Sequence, residues 1–124
     1  MTTANKTLLE YTRKLKEHNE QAYTFFKKYR LGDSEADFHG DVKPFADAVR
    51  EDLEIWVPEI LRLLEKKKPA YLHPQQIDQL TENFEMLSVT CFQKDTKKKR
   101  FREQYQSIDY TLSMAEELAD EDSK

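Results

Sequence analysis

Glycine is nearly absent from this sequence, since Gly32 and Gly40 are the two glycines among 124 residues. Nucleotide-binding loops of the P-loop and Rossmann kinds need several closely spaced glycines, because their backbone turns tightly and approaches a phosphate group. Two glycines placed in this way cannot build such a loop. The composition therefore excludes both of these nucleotide-binding folds.

Cysteine and long apolar runs are equally scarce. The single cysteine, Cys91, cannot form an intrachain disulfide. The first residues, MTTANKTLLEYTRK, carry a charge every few positions and so lack the apolar core of a signal peptide. No apolar run approaches the roughly 20 residues that a membrane-spanning helix needs. We therefore expect a cytoplasmic protein that has no membrane partner.

The sequence is rich instead in charge and in a regular apolar pattern. Charged residues make up 35% of the chain, yet the net charge is only −4, which favours solubility rather than a polyanionic partner. A length of 124 residues fits one folded domain. We expect residues 1–124 to form a single helical-bundle domain in which residues 119–124 are frayed.

Apolar residues recur at steps of three and four, the spacing that places them on one face of an α-helix. The four segments with this spacing are residues 8–29, 38–64, 77–91 and 101–119. Pro74 fits the first position of the third helix, and Asp95 or Thr96 is the predicted N-cap of the fourth. Long helices joined by short links predict an all-α fold, an antiparallel up-down four-helix bundle.

Two prolines interrupt the second segment. Pro44 falls either in the first turn of a helix that starts near Asp41 or inside one that starts near Asp37. Pro58 lies in the middle of the apolar pattern, where its missing N–H predicts a kink, with a break at Val57 as the alternative. The second helix is therefore predicted to be kinked or broken near Pro58.

Short segments spread along the chain carry a resemblance to a known family. They are residues 42–47, Lys68, Pro69 and Tyr71 ahead of Pro74, residues 99–101 and residues 109–112. Through these segments the chain resembles, over nearly its whole length, the YppE-like family of small uncharacterised proteins from Gram-positive bacteria. The resemblance implies a helical-bundle fold and brings no assigned activity or site.

A basic cluster, KDTKKKRFR, occupies residues 94–102. Its candidate anion or nucleic-acid patch is Lys97, Lys98, Lys99, Arg100 and Arg102, and an aromatic residue lies among these cations. The bundle topology places the cluster at the same end as an acidic link, residues 33–37, which would neutralise it. At the opposite end, residues 66–68 should lie near the acidic residues 116–122. Charge runs are usually solvated surface, so a paired or solvated cluster is the competing interpretation.

The second helix is apolar nearly all round between residues 55 and 64, which is wider than one packed face requires. Ile55, Trp56, Leu61 and Leu64 are the candidate protein interface, because an apolar patch left on a bundle surface marks a partner. The alternative is that a kink at Pro58 turns both sides of the helix inward.

Most of the aromatic residues fall toward one end of the predicted bundle. They are Phe25, Phe26, Tyr29, Phe38, Phe45, Phe92, Phe101 and Tyr105. Large rings at an open bundle end can surround a pocket for a planar ligand, although aromatic residues at helical spacing more often form the core.

No pattern typical of a catalytic, metal or cofactor site is present. A zinc site needs about four ligands, and Cys91 with His18 would supply two. These two residues would form a thiol–imidazole pair only if their helices face each other, and a buried thiol is the plainer interpretation. We therefore expect no cofactor and no enzymatic activity.

The leading functional hypothesis is a non-enzymatic module that binds a protein, either a second copy or another chain, through residues 55–64. The first alternative is a nucleic-acid-associated protein that uses residues 97–102. The second alternative is a bundle that binds a ligand at its aromatic-rich end.

Overall fold

Four long α-helices account for most of the chain in the computed structural model, which describes residues 3–32 and 34–123. They are α1 (Thr3–Tyr29), α2 (Lys43–Lys67), α3 (Pro74–Thr90) and α4 (Lys98–Ser123). No β-strand occurs within the described ranges. The apolar periodicity therefore predicted the number of α-helices correctly.

Local backbone chemistry ends α1 and begins α3 where the sequence indicates. The N–H of Gly32 donates to the Tyr29 carbonyl at 3.2 Å, and Gly32 has a φ of 78°, a conformation that glycine adopts without steric cost. Pro74 begins α3, and the backbone N–H of the preceding residue, His73, donates to Oε1 of Gln76 at 2.7 Å. Both helix ends agree with the predicted positions.

The start of α4 differs from the prediction. The N–H of Phe101 donates to the Lys97 carbonyl at 3.0 Å, so Lys97 occupies the N-cap position instead of Asp95 or Thr96. The Thr96 hydroxyl donates to the Thr90 carbonyl at 2.9 Å. It therefore satisfies a carbonyl at the end of α3, which is why it does not cap α4.

The two prolines of the second segment have different surroundings. A single π-helical turn, Phe38–Val42, precedes α2, and Pro44 lies in the first turn of α2 itself. Asp37 caps the π-turn through the N–H of Gly40, at 2.6 Å. Helix α2 continues through Pro58 without interruption, so the alternative of a break at Val57 is wrong.

Cross-helix contacts define the topology. Along α1, Thr12 contacts Trp56 of α2, while Phe25 contacts Phe45, so these helices run in opposite directions. On the other side of α1, Tyr23 and Arg13 contact residues of α4 in the same reversed order. Helix α3 packs between α2 and α4. The predicted antiparallel up-down bundle is confirmed.

Trp56 lies at the centre of the core and is fully buried. Its indole N–H donates to the Thr12 hydroxyl at 2.8 Å, and that hydroxyl donates to the Leu8 carbonyl at 2.7 Å. The buried polar groups of both side chains are thereby satisfied, as burial requires.

Opposite charges meet at the end of the bundle that holds the α2–α3 link. Lys66 and Lys67 place their ammonium groups 3.1 and 3.0 Å from the Asp122 carboxylate, whose side chain is 4% exposed. Helix α4 extends to Ser123 and so continues through residues for which the sequence predicts fraying. The predicted match between the lysines and the acidic segment is confirmed for Lys66, Lys67 and Asp122, whereas Glu116 pairs with α1 instead.

The α1–α4 seam carries an ion-pair cluster with a defined pH dependence. The hydrogen bond from Arg13 at 2.9 Å, together with that from Lys16 at 3.1 Å, lowers the pKa of Glu116 below its ordinary value of 4.5. A carboxylate with a lowered folded-state pKa stabilises the fold above its unfolded pKa, and this contribution is lost as the pH falls through the folded pKa.

Replacing Glu116 with glutamine is therefore expected to destabilise the protein at neutral pH by roughly 0.2–1 kcal/mol, the range for exposed ion pairs. Urea unfolding of both proteins at about pH 7 and about pH 3 measures the difference, which should shrink at the lower pH. A difference of equal size at both pH values would show that these ion pairs contribute nothing.

Candidate functional site

The structure places the four residues of the predicted protein interface at different depths. Trp56 and Leu64 lie in the core, Leu61 is half-buried, and Ile55 is 42% exposed. Because α2 packs against α1 on one side and α3 on the other, a wide apolar arc is needed to fill both contacts. A partner that docks on the folded bundle cannot reach Trp56, whereas Leu61 and Leu64 line an open cleft beside the α2–α3 link. Trp56 is therefore removed from the predicted interface, which stays a prediction for Ile55, Leu61 and Leu64.

The candidate anion patch, in contrast, lies entirely on the surface. Lys97, Lys98, Lys99, Arg100 and Arg102 are all exposed, at the start of α4 and in the residue before it. The helix periodicity turns the aromatic residue among them inward, where it is 1% exposed. That ring is part of the core and offers no face on which a nucleic-acid base could stack.

Glu35 and Asp37 of the acidic α1–α2 link form no ion pair with this patch. Among the described residues, the ion pair of the patch is Lys99 with Glu103 at 4.0 Å, and neither Glu35 nor Asp37 pairs with it. The Asp37 carboxylate is instead used as a cap. Asp33 lies outside the described residues.

The end of α1 brings further cations to the patch. Lys27, Lys28 and Arg30 are exposed, and each lies over an aromatic ring of α1 at 4.9, 5.0 and 5.3 Å from its centroid. We define the basic end as the nine exposed cations of this region: Lys27, Lys28, Arg30, Lys94, Lys97, Lys98, Lys99, Arg100 and Arg102. The α1 residues were not predicted, although the antiparallel topology brings the end of α1 beside the start of α4.

A cleft of about 250 Å³ lies within the basic end, between the last turns of α1 and the first turns of α4. Four of its lining residues are cations, namely Lys27, Arg30, Lys98 and Arg102. Its other lining residues are Tyr23, Phe26 and Phe101. We call this site the seam cleft.

The remaining rings of the aromatic-rich end pack against one another. Phe25 lies 5.2 Å from Phe45 and 4.8 Å from Phe92, measured between ring centroids, and Tyr29 lies 5.7 Å from Phe92. Phe38 is separate from this cluster and is 60% exposed. These rings therefore form core, and the aromatic part of the seam cleft is limited to three residues.

Cys91 and His18 do not form a thiol–imidazole pair. Nε2 of His18 lies 2.8 Å from the Asp52 carboxylate, whereas the Cys91 thiol donates to the Ser88 carbonyl at 3.7 Å. Burial raises the pKa of the Cys91 thiol well above its ordinary value of 9.0. A thiol that stays protonated at neutral pH is a poor nucleophile.

Alkylation of native Cys91 by iodoacetamide at neutral pH should therefore be slower than in the urea-unfolded protein by at least about a hundredfold. Mass spectrometry of quenched samples measures both rates. Rates within tenfold of each other would contradict the observed burial.

The described residues contain no group of three or more His, Cys, Asp and Glu side chains arranged to hold a metal ion. Within the same part of the chain, none of the helices combines the length and apolar character that crossing a membrane requires.

The fold and these sites define a small helical-bundle protein with a basic end and no recognisable catalytic group among the described residues. The chain belongs to a bacterial family described as a domain of unknown function, DUF1798, whose model matches residues 12–118. This finding confirms the resemblance seen in the sequence, because the relatives below include YppE itself.

Two similar proteins support this assignment. The uncharacterised protein YppE from Bacillus subtilis is 30% identical over 121 residues, which are 97% of this chain and 98% of that protein. Its crystal structure superposes with a TM-score of 0.88, at 29% identity over the full length of both chains. A protein of unknown function from Listeria innocua superposes with a TM-score of 0.91, at 25% identity over 99% of this chain and 98% of that one. Neither the family description nor these names assign an activity.

Proposed function

We propose that this protein is a non-enzymatic, cytoplasmic protein that binds nucleic acid through its basic end. The observation that carries the proposal is the set of nine exposed cations gathered there, of which Lys99 is the one paired with a carboxylate among the described residues. Cations without acidic partners are free to contact phosphate groups.

The local charge, rather than the overall charge, supports this interpretation. The chain as a whole has a net charge of −4, so attraction for a polyanion must come from the cations of the basic end. The affinity gained from displaced counterions then depends strongly on salt.

The buried rings indicate which part of the nucleic acid is recognised. Phe26 and Phe101 are 3% and 1% exposed, so neither provides an open stacking platform for a run of bases. Contacts from lysine and arginine to phosphate groups carry no sequence information. We therefore expect binding with little sequence preference.

The basic end also suits an acidic protein partner. The burial of Trp56 removes the largest side chain of the apolar patch that favoured an apolar protein contact. An acidic protein would present carboxylates to the same cations, and for this reason the test includes an acidic polypeptide.

Filter binding of the wild-type protein to single-stranded DNA, double-stranded DNA and RNA, at about 50 and about 200 mM salt, tests the proposal. Retention at low salt that falls steeply at high salt is expected for at least one of the three. Absence of retention at low salt would overturn the proposal. Polyglutamate and unlabelled nucleic acid, added at equal total charge, are compared as competitors for the labelled strand. If polyglutamate competes as strongly as nucleic acid, the basic end is assigned to an acidic protein instead.

A further inference from the structure

The seam cleft differs from the rest of the α1–α4 seam in its charge balance. Farther along the seam, Arg13 and Lys16 of α1 are bridged by the Glu116 carboxylate of α4. In the cleft, both helices contribute cations, and no acidic residue is among its lining residues. The cleft therefore contains cations from both helices, as the Glu116 cluster does, but no carboxylate among its lining residues to pair with them.

The four cations have no carboxylate partner among the described residues. Lys27 and Arg30 lie over the rings of Tyr23 and Phe26, which orients them without removing their charge. Lys98 and Arg102, one helical turn apart on α4, line the opposite wall. A ligand between the two walls would meet positive charge from both.

The floor of the cleft is rigid and apolar. The rings of Phe26 and Phe101 are stacked, with centroids 4.1 Å apart and planes 3° apart. Tyr23 packs edge-on against Phe101 at 6.0 Å and against Tyr105 at 4.9 Å, while the Tyr105 hydroxyl donates to Glu20. An apolar floor beneath cations strengthens their attraction for an anion, because it excludes water from one side.

We propose that the seam cleft binds a phosphate monoester carried on a nucleoside. A monoester has a charge close to −2 at neutral pH and three acceptor oxygens, whereas a diester within a strand has a charge of about −1. The two guanidinium groups and two ammonium groups of the cleft match the charge and acceptor oxygens of a monoester better than those of a diester. The ligand is either a free mononucleotide or the phosphorylated terminal nucleotide of a strand, and the second form rests on the proposed function.

The size of the cleft agrees with a small ligand. Its volume of about 250 Å³ lies just below the roughly 300–1,000 Å³ of sites for drug-sized molecules. The cleft therefore suits a phosphoryl group held among the four cations, with the nucleoside or strand outside.

Fluorescence polarisation with three oligonucleotides of one sequence tests the strand form. One carries a 5′-phosphate, one a 3′-phosphate and one hydroxyl groups at both ends. The wild-type protein is expected to prefer one phosphorylated strand by at least about tenfold, the ratio that a charge-assisted hydrogen bond supplies.

The double variant K98Q/R102Q should lose this preference. Its matched control is K97Q/R100Q, which removes one lysine and one arginine that line a different cleft, between α3 and α4. The control should weaken the binding of all three strands equally and keep the preference. Loss of the preference in both variants would overturn the assignment to the seam cleft.

The free-nucleotide form is tested by the melting temperature of the wild type and both variants with AMP, adenosine or inorganic phosphate. AMP is expected to raise the melting temperature of the wild type and of K97Q/R100Q, and not that of K98Q/R102Q. An equal rise with inorganic phosphate would refute recognition of the nucleoside.

These outcomes separate the two proposals. A shift with AMP, without binding of any strand, would support the cleft as a mononucleotide site and overturn the proposed function. Strand binding with no preference for a phosphorylated end, and no shift with AMP, would overturn the cleft site and leave the proposed function standing.

Discussion

Replacing Trp56 with alanine is expected to lower the free energy of unfolding by about 3–5 kcal/mol. The indole is fully buried, so its removal loses the transfer free energy of a large ring and leaves a cavity that the surrounding helices fill incompletely. The Thr12 hydroxyl would also lose the indole N–H that it accepts, although it would still donate to the Leu8 carbonyl. Urea unfolding followed by circular dichroism measures the change.

Two variants serve as controls for this prediction. Trp56→Phe keeps a large buried aromatic ring and should lower the free energy of unfolding by less than Trp56→Ala does. Ile55→Ala alters the adjacent, 42% exposed residue and should change stability by less than about 1 kcal/mol. If Trp56→Ala were as mild as Ile55→Ala, the indole would lie on the surface and the interface first predicted for residues 55–64 would regain its support.

Removing charge from the basic end should weaken nucleic-acid binding by roughly tenfold to a hundredfold at about 0.1 M salt. The variant is K97Q/K98Q/K99Q/R100Q, whose four side chains are exposed. For a single strand, each lost phosphate contact should reduce the slope of log affinity against log salt by about 0.7. Filter binding across a salt series gives both quantities.

The matched control removes the same charge elsewhere. K6Q/K14Q/R50Q/R62Q neutralises four exposed cations on α1 and α2 that are not part of the basic end. Its salt slope should remain that of the wild type. Equal losses in the two variants would mean that net charge, rather than a local surface, governs binding.

The fold could be predicted because its determinants are local. Apolar residues at steps of three and four require helices whatever they pack against, and short links require antiparallel neighbours. Pro44 and Pro74 mark helix starts because proline has no N–H to leave unpaired. These features depend on neighbouring residues alone.

The sites were harder to predict because they depend on what faces each helix. The wide apolar arc around Trp56 indicates that α2 is buried broadly, yet it cannot show whether a second helix or a partner covers the outer part. In the same way, Thr96 is a good N-cap residue by type, but its hydroxyl is used by the end of α3. For both α2 and Thr96, the deciding contact is made with a different helix, which the local sequence does not reveal.

Only part of the basic end could be predicted from the sequence. The run of residues 97–102 is conspicuous, whereas Lys27 and Arg30 are separated from it by about seventy residues and join it only through the packing of α1 against α4. The inward position of Phe101 follows from its place in the apolar pattern of α4, and it shifts the expected contact from bases to phosphates.

Titration of the ¹⁵N-labelled protein with a 5′-phosphorylated single strand, followed by amide chemical shifts, tests most directly where nucleic acid binds. Saturable shifts at residues 27–30 and 94–102, which diminish as salt is added, are the predicted result. Shifts centred on Ile55 and Leu61, or on the end that holds Lys66 and Asp122, with the basic end unchanged, would contradict it.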